Sequence, residues 1–324
     1  MQQLINIGVD PKPGHLLHNW QHAETFLQQY GLDGFEIAPH GNFESSLLPK
    51  SLVKGLHLTF FPILLPFWQQ DSEALLSIFG DWLTVEQYYG GLEPQCLVDT
   101  YVHQLNMAQD LNVPYVVFHP VSCDMEHLFD FAFPWQLQDT LKASAALINA
   151  ALKQSYFTGK LLFENLWWPS SFRLDSRDEY DQLRKLINYD NCGLCFDTGH
   201  MMATNTQLMN ESEGVAFLMK KLHQLDLCSE IETVHLNANL NGSYIKSAKL
   251  NQQPYLHCDD FWHQLEVALK HVSLIDSHSP FTQVSLVPLL ELIKPNHIVH
   301  ELGQPSLAHW QRSIHAQLPL VTLC

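Results

Sequence analysis

The stretch GLCFDTGH, residues 193–200, begins as a buried strand and ends as something else. A mostly apolar run leads straight into Asp197, with His200 three positions further on. A carboxylate and an imidazole at the end of a hydrophobic strand each cost free energy unless something binds them. The same design recurs along the chain. Short apolar runs bounded by Gly, Pro or Asn predict eight strands: INIGV (5–9), GFEIA (34–38), GLHLTFF (55–61), YVVFHPV (115–121), KLLFENL (160–166), GLCFDTG (193–199), TVHLNA (233–238) and HIVHELG (297–303).

Between these strands lie segments with apolar residues at helical spacing and Ser, Asp or Glu near their starts, among them 15–31, 135–154, 176–187 and 211–225. Eight β/α units in 324 residues is the arithmetic of an α/β fold of the (β/α)8 TIM-barrel kind. The rival, a doubly wound open sheet, lacks a GxGxxG after any strand. A single barrel domain over 1–324 is expected, with insertions at about 62–95 after strand three and 239–281 after strand seven. Helix-to-strand connections are short and strand-to-helix connections long, which puts the elaborated, working face at the C-terminal ends of the strands.

Strand side chains alternate in direction. Glu36, His57, His119, Glu164, Asp197, His235 and Glu301 can therefore each point inward at the top of its own strand, delivering seven ligand-type groups to one place. Several carboxylates and imidazoles so close together would repel and stay undersatisfied, and a divalent cation resolves that.

Composition narrows the partners. The chain has 34 acidic residues against 17 basic ones and a formal charge of −17, so its field repels polyanions and nucleic acid is not the expected partner. No basic segment followed by an apolar run opens the chain, and no stretch of eighteen apolar residues interrupts it; a cytoplasmic location with no membrane partner is expected. Seven scattered cysteines fit reduced thiols, with the lone CxxC of Cys192 and Cys195 read as core. A small-molecule substrate is expected, and a homo-oligomer is left open.

FEN around Glu164, DTGH with Asp197 and His200, VHLN around His235 and HELG around Glu301 resemble the strand ends of the xylose isomerase-like TIM barrels. That superfamily includes sugar isomerases and epimerases and apurinic endonucleases of the endonuclease IV type. The resemblance implies that Glu164, Asp197, His235 and Glu301 hold one divalent ion, that Glu164 and Glu301 form an acid/base pair, and that His200 helps bind substrate. DSHSPF (276–281) is similar to the DxHxP segment of the endonuclease branch, where its Asp and His complete a multinuclear site with the counterparts of His57 and His119, and His200 is read beside the same metal site. His257 competes with Asp276 and His278 for that role. Two departures stand out: some forty residues separate His235 from Asp276, and the Arg that epimerases carry after the strand-seven His is replaced by Lys246 and Lys249 as nearest cations.

The leading expectation is an isomerase or epimerase of a sugar-like molecule, with one Mn, Zn, Mg or Fe ion polarising a carbonyl while a carboxylate moves a proton between carbons. The alternatives are a hydrolase of a small phosphoester with two or three ions, and a multinuclear-iron peptide-modifying enzyme, which ENLW and DSH resemble. Glu36, His200, His257 and Lys246 are expected to touch substrate. Phe67 and Trp68, on the long loop after strand three that also carries a predicted helix from Asp71 or Ser72 to Leu83, and Trp167 and Trp168 are expected to form an aromatic lid or wall.

Overall fold

A computed structural model describes residues 1–322. Eight parallel strands close into a barrel in chain order, β1 (Gln2–Val9), β2 (Gly34–Pro39), β3 (Val53–His57), β4 (Tyr115–Phe118), β5 (Lys160–Glu164), β6 (Cys192–Asp197), β7 (Ile231–His235) and β8 (His297–His300), with β8 pairing back onto β1. Each lies on a predicted strand. Most end earlier than the apolar runs suggest, because the last residues of each run turn outward into the loops that build the site.

Helices follow in order: α1 (Trp20–Tyr30), α2 (Leu65–Trp68), α3 (Ser72–Phe79), α4 (Trp82–Tyr89), α5 (Gln95–Leu111), α6 (Leu137–Gln154) and α7 (Arg177–Leu186). After them come α8 (Thr198–Ala203), α9 (Glu211–Leu225), α10 (Gly242–Lys246), α11 (Gln253–Leu256), α12 (Phe261–Ile275), α13 (Val287–Ile293) and α14 (Leu307–Gln317). Their ends are written locally. The Asn19 side chain accepts from the His22 N–H to open α1, and Gly31, in the left-handed region at φ 66°, closes it. Asp260 opens α12 in the same way, accepting from the His263 N–H. Pro288 falls in the first turn of α13, where its missing N–H costs nothing.

Two cores result. The larger fills the space between the sheet and the surrounding helices. The smaller lies inside the barrel: Leu4, Tyr115, Val117, Leu162, Cys195 and Val299, all fully buried. Apart from Leu4, these residues sit two positions, or a multiple of two, below the polar strand ends His119, Glu164, Asp197 and Glu301. The alternation that sends them inward therefore sends those four inward one layer higher. The barrel is plugged with apolar side chains up to the level where its polar layer begins.

The connection after β3 corrects one expectation. In place of a single helix to Leu83, Gly80 at φ 83° ends α3 at Phe79, and the Asp81 side chain starts α4 by accepting from the Thr84 N–H. Phe67 is fully buried and stacks on Tyr89 with ring centroids 3.8 Å apart; it anchors this insertion to the barrel and forms no lid. Trp68 packs on the same core, away from the central cavity.

His300, next to Glu301, faces away from the barrel interior. Its Nδ1 accepts from Gln317 Nε2 at 2.9 Å, and its Nε2 lies 3.2 Å from Gln3 Oε1. This fully buried imidazole ties β8 to α14 and β1. His300→Ala should lower unfolding free energy by about 2–4 kcal/mol, through a lost hydrogen-bond pair and a residual void. Denaturant titration would show this, and metal content measured alongside should not change.

Candidate metal centre

Strand register brings the ligand-type residues together. Asp197 and His235 are paired neighbours across β6 and β7, and Glu164 on β5 lies beside Cys195 on β6, one layer below Asp197. His119 and Glu301 stand just past the ends of β4 and β8. Glu164 is the hub: its Oε2 lies 3.3 Å from His57 Nε2, 3.0 Å from His119 Nε2 and 3.2 Å from His235 Nδ1, and its Oε1 lies 3.2 Å from His200 Nδ1. Glu301 Oε2 sits 3.2 Å from the same His235 Nδ1.

Among the described residues four groups of donor atoms result, each within 4.8 Å of one another: His57, His119 and Glu164; Glu164, Asp197, His235 and Glu301; His200, Asp276 and His278; and Glu164, Cys195 and His235, the last of which draws on a thiol of the barrel plug. In the third group it is Asp276 and His278, and not His257, whose donor atoms lie close to His200. His200 Nε2 is 2.9 Å and His278 Nε2 3.4 Å from Asp276 Oδ2. His257 is exposed and turns its Nδ1 to the Gln253 carbonyl of its own helix, α11. Lys246 ends α10 and does not line the cavity, so neither residue occupies the substrate-contacting place expected of it.

Each ligand position is held by residues behind it. Asp197 caps α8, its Oδ1 accepting from the His200 N–H at 2.5 Å, which fixes the DxxH spacing as one turn of backbone. Asn165 brackets the Asp197 peptide from both sides, and Asn237 Nδ2 donates to Asp197 Oδ2 at 2.8 Å. Gly199 must lack a Cβ because the Asn237 amide occupies that space.

Glu36 was expected to bind substrate; it borders the cavity, yet its contacts are with the protein. Its Oε1 lies 2.9 Å from His235 Nε2, and Tyr115 donates to its Oε2 at 2.8 Å. A carboxylate behind the far nitrogen of a ligating imidazole fixes ring orientation and raises basicity, leaving Nδ1 to face Glu164 and Glu301. Gly55 makes this possible, since any Cβ there would collide with the Tyr115 ring.

The Asp276–His278 segment is tied down by an asparagine-rich loop after β7. Asn239 and Asn241 both donate to the Ile275 carbonyl, at 2.6 and 3.0 Å, and Asn241 also donates to Ser277 Oγ. The Ala238 N–H donates to the Ser279 carbonyl and the Gly303 N–H to the His278 carbonyl. His278 itself sits in the left-handed region at φ 44°, a strained conformation for a non-glycine residue that the surrounding bonds sustain. The run HLNANLN carried a legible signal of this, polar side chains at alternate positions beyond a strand end; Tyr115 carried none.

The electrostatics fit a cation. Burial raises Asp197 well above the usual carboxylate range, with His200 opposing and the charges of Glu301, Glu164 and Asp276 adding to it. Burial works against Glu164 too, but His119 and His235 hold it well below that range. His278, disfavoured by burial, is pushed up to about 10 by Asp276 and Glu301. Without a cation the protein must keep imidazoles protonated to balance buried carboxylates. Several of these atoms nonetheless lack an aligned hydrogen-bond partner: Glu164 Oε1, Glu301 Oε2, Asp276 Oδ1, His235 Nδ1 and both nitrogens of His119. Buried polar atoms within contact distance of one another but out of hydrogen-bond alignment are the pattern expected of lone pairs that share a metal ion. The oxygen and imidazole donors, with no thiolate needed, suit Zn, Mn or Fe.

Above this layer opens a cavity of about 610 Å³, lined by Phe60, Leu166, Trp167 and Trp168 and by Leu269 and Val272 of α12. Replacing Glu36 by Gln should weaken metal binding roughly 10–100-fold, the range typical of residues behind a ligand. Competition with a chelator would measure it, and circular dichroism should show the fold retained.

Comparison with known proteins agrees with this architecture. The structure is similar to endonuclease IV from Thermus thermophilus at 15% identity and a TM-score of 0.54, covering 99% of this chain and 97% of that one. It is similar to a D-tagatose 3-epimerase-like protein at 14% identity and a TM-score of 0.53, covering 99% and 98%. At these identities the likeness is one of fold. No curated protein sequence matches. The family model for the xylose isomerase-like TIM barrel matches residues 25–283, and the chain belongs to that family.

Proposed function

We propose that the chain is a metal-dependent hydrolase of a small phosphoester, working through a centre of two or three divalent ions. The observation that carries this is the sharing of Glu164: its Oε2 lies within 3.3 Å of His57, His119 and His235, and its Oε1 lies 3.2 Å from His200. A mononuclear isomerase centre needs only Glu164, Asp197, His235 and Glu301, with His200 binding substrate, and leaves His57, His119, Asp276 and His278 without a task. Because Asp276 and His278 converge on His200, the balance moves from the isomerase expected of the motifs to the runner-up.

When bound, such ions activate a water molecule and polarise the phosphoryl oxygens. The remaining work belongs to the protein. His57, His119 and Glu164 would hold one position, Glu164, Asp197, His235 and Glu301 a second, and His200, Asp276 and His278 a third. Glu36 and Tyr115 keep His235 in one orientation, so its Nδ1 stays aimed at the centre. In the reaction a water oxygen bonds to phosphorus as the ester P–O bond breaks, and the departing alkoxide takes a proton to leave as an alcohol. Leu166, Trp167 and Phe60 restrict water around that exchange. The acidic chain argues for a small substrate and against nucleic acid.

The isomerase reading keeps one specific support: Glu164 and Glu301 both reach His235 Nδ1 at 3.2 Å, a pair of carboxylates about one position. Metal analysis separates the two. Purified protein should carry two to three equivalents of metal per chain, and the double variant Asp276→Ala/His278→Ala should lose about one, because removing two of three donors leaves that position too open to hold an ion. Phosphate release from p-nitrophenyl phosphate should accompany the full complement. A single equivalent, unchanged in the double variant, with deuterium exchange at a ketose C–H and no phosphate release, would establish the isomerase instead.

A further inference from the structure

We infer that the ester group of the substrate is apolar, an alkyl or aryl alcohol, and that the inserted helix α12 selects it. The inference rests on the phosphoester reading and adds to it the chemistry of the part that leaves. Leu269, Val272, Ser273 and Asp276 all border the cavity, and their spacing of three, four and seven residues puts them on one stripe of α12 and its C-cap. The stripe ends on a residue of the third donor group and begins on a leucine that is 59% exposed. A single exposed leucine needs no explanation. A leucine and a valine one turn apart, facing into a cavity and aligned with a metal-ligand position, form a wall.

The same cavity is lined by Phe60 and Trp167. The Phe60 ring centroid lies 4.9 Å from that of His119, and Phe60 is itself 39% exposed, so an apolar surface starts directly at the polar layer and runs to the mouth. No lysine or arginine lines the cavity among the described residues. A second phosphate, as in a nucleotide chain, would meet no cation beyond the centre. A sugar ring would find Ser273 as the one hydroxyl on the α12 stripe. An alkyl or aryl group would exchange water for carbon.

Methylphosphonate and hexylphosphonate, which share a headgroup and cannot be hydrolysed, test this by calorimetric titration into the metal-loaded protein. Each methylene buried against Leu269 and Val272 should tighten binding about fourfold, so the hexyl compound should bind at least roughly tenfold tighter than the methyl one. The variant Leu269→Ser/Val272→Ser, on exposed and half-buried positions, should abolish most of that gain while leaving methylphosphonate affinity and metal content unchanged. Equal affinities for the two phosphonates would overturn the inference and leave the hydrolase reading intact, as would a chain-length gain that survives in the double variant. Failure of both phosphonates to bind a fully metal-loaded protein would overturn both.

Discussion

The site depends on one buried carboxylate. Glu164 is entirely shielded from water and has four imidazoles within 3.3 Å. Taking a carboxylate out of water costs several kcal/mol, and only charge nearby can offset it. Everything around Glu164 supplies or steadies that charge. Histidines arrive from β3, β7, α8 and the turn after β4, and three of the four, His57, His235 and His200, have a second polar contact that the glutamate does not provide. Such an arrangement is poor as a stability device, since apolar residues of the same volume would fill the barrel at less cost. It makes physical sense as a holder for cations.

The barrel makes this carboxylate tolerable by separating two tasks along its axis. The lower interior is filled by Tyr115, Val117, Leu162, Cys195, Leu4 and Val299, and carries the hydrophobic stabilisation. The layer above is polar on every contributing strand. Because period-two alternation governs both layers, the same residues that build the plug determine the height and direction of the ligands. Tyr115 belongs to both layers: its ring lies in the plug, and its hydroxyl reaches up to Glu36.

Much of this was legible in the sequence because strands announce themselves. Glu164, Asp197, His235 and Glu301 break apolar runs at the position where a barrel places its chemistry, and a polar residue there is costly enough to be informative. Lids and walls are harder to read. Phe67 and Trp68 look like Trp167 and Trp168 among the aromatic loop residues, yet Phe67 stacks on Tyr89 of α4 and Trp68 packs on the outer core, whereas the second pair borders the cavity. The difference lies in where an irregular loop folds back, which no periodicity encodes. His257 misleads for a similar reason: its neighbours Cys258, Asp259 and Asp260 suggest a ligand cluster, but one turn of α11 directs its ring to its own backbone. Gly55 and Glu36 show the opposite limit, since their importance comes from Tyr115, a neighbour in space that lies far from both along the chain.

The insertion after β7 has a consequence for how the site responds to its contents. α12 contributes to the cavity wall through Leu269 and Val272, and its C-terminal end carries Asp276, whose carboxylate faces His200 and His278. A helix is stiff along its axis, so settling one end restricts the other. The wall and the third donor group thus share a single rigid element, and any linkage between filling the one and filling the other would have to be reciprocal, the gain of either being returned in equal measure. The asparagines that fasten Ile275 and Ser277 to the loop after β7 hold the point where wall and donor group meet.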